Sequence, residues 1–222
     1  MADKKNLIVS ASPHIVDTSS TRGLMGNVII ALLPAFVASG IVFGLRAIAV
    51  TAVTVIACVV FEAGYCKLTN KPIPVGDLSA VVTGMILAFN LPSTIPLWIA
   101  VVGAFVAIVV TKQLFGGLGM NFANPALVGR IALAVGFAGR MTTYGIPKTT
   151  GVDAFTSATP LAAGVSGIDA LPELLLGLHG GVLGETCAAA LILGGIYLVA
   201  TKTISAAIPV SYIGTVAVLS VV

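Results

Sequence analysis

The chain has 222 residues, of which 58% are hydrophobic and only 9% charged, with a mean hydropathy of +1.11. A soluble domain carries about 25% charged residues, so this composition excludes one and points to an integral membrane protein in contact with a lipid bilayer. The net charge of +3 comes from 11 basic and 8 acidic residues spread along the sequence without a dense basic run, which excludes a nucleic-acid-binding surface.

Residues 1–23 stay polar for too long and lack the short apolar core of a secretory signal, so they read as a cytoplasmic N-terminal segment. Residues 25–44 carry no charge and, at about 1.5 Å per residue, cross a hydrocarbon core of about 30 Å. Pro34 interrupts that span, which lipid tolerates where a neighbouring helix covers the freed carbonyl. Gly40 and Gly44 offer a small-residue face for close packing. Residues 47–68 form a second span with Glu62 near its far end, closed by the breakers Pro72, Pro74 and Gly76. Segment 78–90 is too short to span comfortably before LPSTIP stops it. Residues 96–115 read as a full span, and 126–138 is short again after the Gly-, Asn- and Pro-rich stretch 116–125. Such a pattern marks discontinuous helices, which survive at membrane depth only where protein or a polar cavity surrounds them.

From Gly139 the chain turns polar, and residues 139–181 read as a long loop outside the bilayer, a kind of segment that commonly carries function. Further spans run from about Gly184 to Thr201 and from about Ile208. The last reaches Val222 still apolar with no flanking anchor, as expected of a chain that stops partway through its membrane domain. Cys58, Cys66 and Cys187 lie in apolar segments and form no Cys-x-x-Cys pair, so they read as packing residues.

With 78–90 counted as a crossing, Lys4, Lys5, Arg22, Lys67, Lys71, Lys112 and Lys202 fall on the N-terminal side. Arg46, Arg140 and Lys148 fall on the other. Seven basic residues against three put the N-terminus in the cytoplasm and loop 139–181 outside. A re-entrant 78–90 would move that loop to the opposite side.

The loop contains Asp153-Ala-Phe-Thr156-Ser157-Ala158-Thr159. Threonine is a poor nucleophile unless activated. The pattern therefore reads either as the substrate of an enzyme that esterifies Thr159 with a phosphorylated cofactor, or as a Ser/Thr turn closed by Pro160.

Several landmarks stand in order: SPH at 12–14, TGM at 83–85, FGGLGMNFANPALVGR at 115–130, DAFTSATPLA at 153–162 and GVLGET at 181–186. Together they resemble the D subunits of Rnf electron-transport complexes, relatives of the B subunits of sodium-pumping NADH:quinone oxidoreductases, over essentially the whole chain. The resemblance implies FMN joined through its phosphate to Thr159 by a dedicated flavin transferase, with Asp153, Thr156, Ser157 and Ala158 completing the attachment site. Ser157 stands where many relatives have Gly. It implies an all-α bundle similar to the urea-transporter type, built of two inverted five-helix repeats. Residues 24–138 would be the first repeat, 139–181 the flavin-bearing loop and 182–222 the start of the second repeat. Noncovalent riboflavin between the helices is suggested by relatives, although no residue here identifies it. The implied partners are the other subunits of the complex, including a second covalent-flavin subunit and iron-sulfur subunits, in a bacterial or archaeal cell membrane. Electron transfer between ferredoxin and NAD would be coupled to export of sodium ions or protons by the assembly, since this chain lacks a dinucleotide fingerprint and an iron-sulfur cysteine set.

Arg130 lies in an apolar helix, where a charge costs about 2.5 kcal/mol or more unless paired or wet. It reads as a contact to flavin phosphate or ring oxygen, or as a structural pair with Glu62 or Glu185. Asn121 and Asn124 donate to a flavin ring or satisfy the broken backbone of their own loop. Glu62 and Glu185 are candidates for an ion path, with an interfacial position as the alternative. Asp77 caps the short helix that follows it. Two other functions compete: membership of the quinone-reducing sodium pump, and a cofactor-free channel or transporter of a small solute.

Overall fold

The computed structural model describes residues 20–71, 74–145, 175–177, 179–185 and 187–221, and every named element among them is helical. Helix α1 spans Thr21–Phe43, and Ser20 caps it by accepting from the Gly23 amide at 3.1 Å. Gly44, at φ +74°, joins it directly to α2, Leu45–Leu68. A residue with a Cβ would be strained in that left-handed backbone. These two helices are long and apolar enough to cross a membrane, whereas the others are shorter.

Helix α3, Ser79–Phe89, follows a 3-10 turn at Pro74–Asp77. Leu78 between them holds φ +64°, and the Asp77 carboxylate accepts from the Ser79 amide at 2.7 Å. The capping role expected of Asp77 is thus met. Pro92 and Pro96 keep α3 from continuing, because proline lacks the amide a helix needs and biases the residue before it toward extended backbone.

The expected single span 96–115 is instead composite. It begins as α4, Leu97–Phe105, and widens into π-helix over Val106–Gln113. Helix α5 covers Pro125–Gly136, with Asn124 capping it by accepting from the Ala126 amide at 3.0 Å. A single turn, α6, follows at Ala138–Met141, so the start of the expected loop is helical. Helix α7 covers Ala188–Ala200 and α8 covers Ala207–Val221. The former starts later than the expected Gly184, because residues 182–184 pair with the chain that follows α3.

Neighbouring contacts fix the directions. Gly84 lies against the Val55 backbone, and Arg46 reaches the carbonyls of Ser93 and Ile95. Segment 79–95 therefore runs antiparallel to α2 over most of its length. Phe105 meets Phe61 edge-on at 5.5 Å, and the π-helical end reaches Glu62, so α4 runs parallel to α2. Helix α5 returns beside α4, with Gly129 against the Gly103 carbonyl and Phe137 against Trp98 at 5.2 Å. Helix α7 lies antiparallel to α1, with Ala190 packed near Ala35, Gly194 against Ala31 and Thr203 bonded to Asn27.

The break after α3 is the junction of the fold. Its carbonyls find partners outside the helix: Ile86 O accepts from the Asn90 side chain, Phe89 O from the Gly184 amide and Leu91 O from the Leu183 amide. Ser93 O and Ile95 O accept from Arg46 at 3.4 and 3.3 Å. Thr94 in turn donates to Thr143 O at 2.5 Å. The chain on both sides of residues 146–174 is thus fastened to one short stretch, residues 89–95.

A Cβ at Gly194 would sit 2.2 Å from the Ala31 carbonyl oxygen, whereas one at Gly195 meets nothing within 4 Å. Gly194→Val is expected to destabilise the folded chain by about 1–3 kcal/mol, the usual cost of overpacking. Gly195→Ala is expected to leave it unchanged. Thermal unfolding of the detergent-solubilised protein checks both.

Candidate functional site

The wide turn of the π-helix sets up the most buried charges among the described residues. One of its bonds runs five residues apart, from the Leu114 amide to Val109 O at 3.1 Å, and the chain then leaves through a Schellman turn in which Gly116, at φ +114°, lets the Gly117 amide reach Lys112 O at 2.9 Å. Such widened turns are frequent at functional sites. The last two residues of this one share an acceptor on α2. Lys112 Nζ donates to Glu62 Oε1 at 2.5 Å, and Gln113 Nε2 donates to the same oxygen at 2.9 Å. Glu62 is 0% exposed and Lys112 1%. The Glu62 carboxylate thus sits inside the bundle, where a lysine fifty residues on neutralises it. Lys112 likewise turns inward, whatever its level along the helix.

The chain of bonds continues outward. Lys112 Nζ also donates to Ser79 Oγ at 2.6 Å, and Ser79 Oγ donates to Asp77 Oδ1 at 2.5 Å. Two buried acceptors remain without a partner among the described residues, Glu62 Oε2 and Asn121 Oδ1. A buried polar atom left unpaired costs about 1–3 kcal/mol, and each of these two residues lines a cavity.

Cavities flank the pair on two sides. One of about 200 Å³ is lined by Glu62, Lys71, Asp77, Lys112 and Gln113. Another of about 230 Å³ is lined by Ser79, Thr83, Lys112, Asn121 and Asn124. Lys112 belongs to both. Closer to the junction after α3 lies a larger cavity of about 470 Å³, lined by Ile86, Phe89, Asn90, Arg130, Gly184 and Glu185 among others. Arg130 Nη1 donates to Asn90 Oδ1 at 2.7 Å, and the Asn90 amide group is steadied by its own bond to Ile86 O at 2.8 Å.

Of the residues singled out from the sequence, Asp153, Thr156, Ser157, Ala158 and Thr159 lie outside the described residues. Glu62 and Arg130 are well separated along the bundle, at opposite ends of α3. Arg130 is paired with neither glutamate: Glu62 is taken by Lys112, and Glu185 is an exposed residue on the rim of the Arg130 cavity. Asn124 is a helix cap, while Asn121 presents an unsatisfied oxygen. Lys112, Gln113, Ser79 and Asn90 were not anticipated. The available signal was Lys112 itself, a second charge in an apolar helix that asks for a partner as much as Glu62 does.

A family model described as the NQR2, RnfD, RnfE family matches residues 8–222. The chain is 51% identical over 222 residues to the D subunit of the Na(+)-translocating ferredoxin:NAD(+) oxidoreductase complex of Acetobacterium woodii, covering 97% of this chain and 69% of that protein. It is 40% identical to the D subunit of the proton-translocating ferredoxin:NAD(+) oxidoreductase complex of Clostridium ljungdahlii, over 98% of this chain and 70% of that one. It is 36% identical to the D subunit of the ion-translocating oxidoreductase complex of Rhodobacter capsulatus, over 96% and 68%.

Removing one member of a buried pair strands the other, at a cost of about 3–5 kcal/mol, whereas replacing both is often nearly neutral. Lys112→Met is therefore expected to destabilise the fold by that amount. Glu62→Gln combined with Lys112→Met is expected to recover most of the loss in the same unfolding assay.

Proposed function

Because the chain belongs to the NQR2, RnfD, RnfE family, we propose that it serves as the D subunit of a membrane complex that transfers electrons between ferredoxin and NAD. The complex couples that transfer to export of sodium ions or protons. The observation that carries this reading is identity at half of the aligned positions, across nearly the whole chain, to a protein named as such a subunit. The relatives quoted above are named for ferredoxin:NAD or ion-translocating complexes, which favours this reading over a quinone-reducing pump.

In this proposal the chain is a multi-pass subunit of the cell membrane and forms the first of two inverted repeats of the urea-transporter type, plus the start of the second. The antiparallel course of segment 79–95 beside α2 supports counting it as a crossing. Setting Lys112 aside leaves six basic residues against three, which keeps the N-terminus cytoplasmic and the segment beyond Thr143 outside. Glu62 belongs to the ion path, a role supported by its complete burial and its unpartnered oxygen. Glu185, exposed at the other end, fits a place at the mouth of that path.

Thr159 carries FMN through a phosphoryl ester installed by a flavin transferase that acts on the Asp153–Thr159 motif. Bound flavin supplies one- and two-electron redox chemistry. The cavity beside Arg130 fits such a group, since its volume lies within the roughly 300–1,000 Å³ usual for small-molecule sites and a few polar groups converge in a largely apolar wall. Arg130 would donate to a ring oxygen or the phosphate, with its orientation set by Asn90. The cavity lined by Asn121 and Asn124 is smaller than that range, so of these two only the larger has room for a noncovalent riboflavin. The second covalent-flavin subunit and the iron-sulfur subunits of the complex supply the remaining redox steps.

The test is to express the complex together with its transferase. The subunit should fluoresce as a denatured gel band, and its Thr159 peptide should carry the mass of an FMN ester. Thr159→Ala should abolish both and reduce coupled electron transfer by about a hundredfold or more, the scale of advantage that tethering confers. A dark band from the wild-type subunit would turn the reading toward a cofactor-free transporter.

A further inference from the structure

We infer that Lys112 is an internal counter-cation that competes with the translocated monovalent cation for Glu62, and that Ser79 and Asn121 form the berth its ammonium occupies when Glu62 is released. This rests on the reading of Glu62 as part of the ion path. A carboxylate enclosed to the degree of Glu62 needs one positive charge beside it. In the structure Lys112 supplies that charge, with Nζ 2.5 Å from Glu62 Oε1. An incoming cation gains the site only if the ammonium leaves, because both cannot neutralise one carboxylate.

The surroundings provide for that exchange. The ammonium already holds Ser79 Oγ at 2.6 Å, a bond that it keeps in either position. Of the two residues with an unpartnered buried oxygen, Glu62 lines one cavity and Asn121 the other. Lys112 lines both cavities, and its flexible four-carbon stem lets the charge shift while the backbone stays in place. Moved toward Asn121, the ammonium satisfies that oxygen and leaves the carboxylate, with Gln113 beside it, to the cation.

Among the described residues, the charged and titratable groups around Glu62 are Lys112, Lys71, Asp77 and the Cys66 thiol, which line the same cavity, and the buried Cys58 thiol one turn earlier on α2. On the Asn121 side Lys112 is the one charged residue among the described residues that line the cavity. Departure of the ammonium in that direction therefore meets no opposing cation among them. The arrangement has two states, and cation binding to Glu62 selects one of them.

The test uses the intact complex in liposomes, measuring electron transfer from ferredoxin to NAD against sodium chloride at fixed pH and, separately, against pH in sodium-free buffer. The axis to which the wild type responds identifies the cation. On that axis Lys112→Gln should lower the half-saturating cation concentration about tenfold, the factor expected if the pair is intact in about nine molecules of ten. Asn121→Leu removes the berth without stranding a charge and should raise it severalfold. An unchanged half-saturating concentration in either assembled variant overturns the proposal, and Asn121→Leu decides it if Lys112→Gln does not assemble. Glu62→Gln tests the underlying reading alone: it should lose the cation dependence. Wild-type dependence in that variant means that Glu62 is not in the ion path, and the competition falls with it.

Discussion

A backbone carbonyl freed where α3 stops needs a new partner once it is buried, and several parts of the chain supply one. The bundle is arranged around meeting this requirement. Asn90 turns back on Ile86, residues 183–184 bond to Phe89 and Leu91, and Arg46 comes across from the start of α2 to serve Ser93 and Ile95. Each partner belongs to a different part of the chain. The broken helix therefore draws α2, α5 and the approach to α7 together, and Asn90 passes the effect on to Arg130.

The other end of α3 meets a complementary demand. There a buried ion pair must be held, and the short helix contributes Ser79 as the hydroxyl that accepts from the lysine and donates onward to Asp77. A long continuous helix would satisfy its own backbone and leave neither end available. Both polar centres thus depend on α3 being short: one is assembled at its beginning and the other at its end. This links secondary structure directly to the chemistry proposed for the chain.

Much of this was legible in the sequence. Apolar runs, charge-free for α1 and sparsely charged for α2, located both helices to within a few residues, and Pro92, Pro96 and the Gly116–Pro125 stretch announced the breaks around α3, α4 and α5. Asp77 was readable as a helix-start residue, and Asn124 as one that satisfies backbone in its own loop, because such chemistry is local. What escaped was non-local. Nothing near Glu62 in sequence reveals that Lys112 will reach it, and a lysine close to the end of an apolar run looks the same whether it snorkels to the interface or turns inward. The partner of Arg130 was missed for a related reason. A charge in an apolar helix suggests an acid, whereas the structure supplies an asparagine whose carbonyl is already aimed by its own bond.

The widened turn at Val106–Gln113 explains the largest of these surprises. An α-helix advances by about 100° per residue, so the extra residue in the turn acts as a phase shift between the two halves of one rod. Positions before it follow one face, and positions after it follow another. A helical wheel carried through from α4 without that shift would turn the pair Lys112 and Gln113 away from the direction in which both reach Glu62. The same shift sets the angle at which the chain leaves for the glycine-rich loop and α5. Shortening this segment by a single residue would therefore act less like the loss of a side chain than like a frameshift in space, turning the charged end of the rod away from its partner while every remaining residue kept its identity.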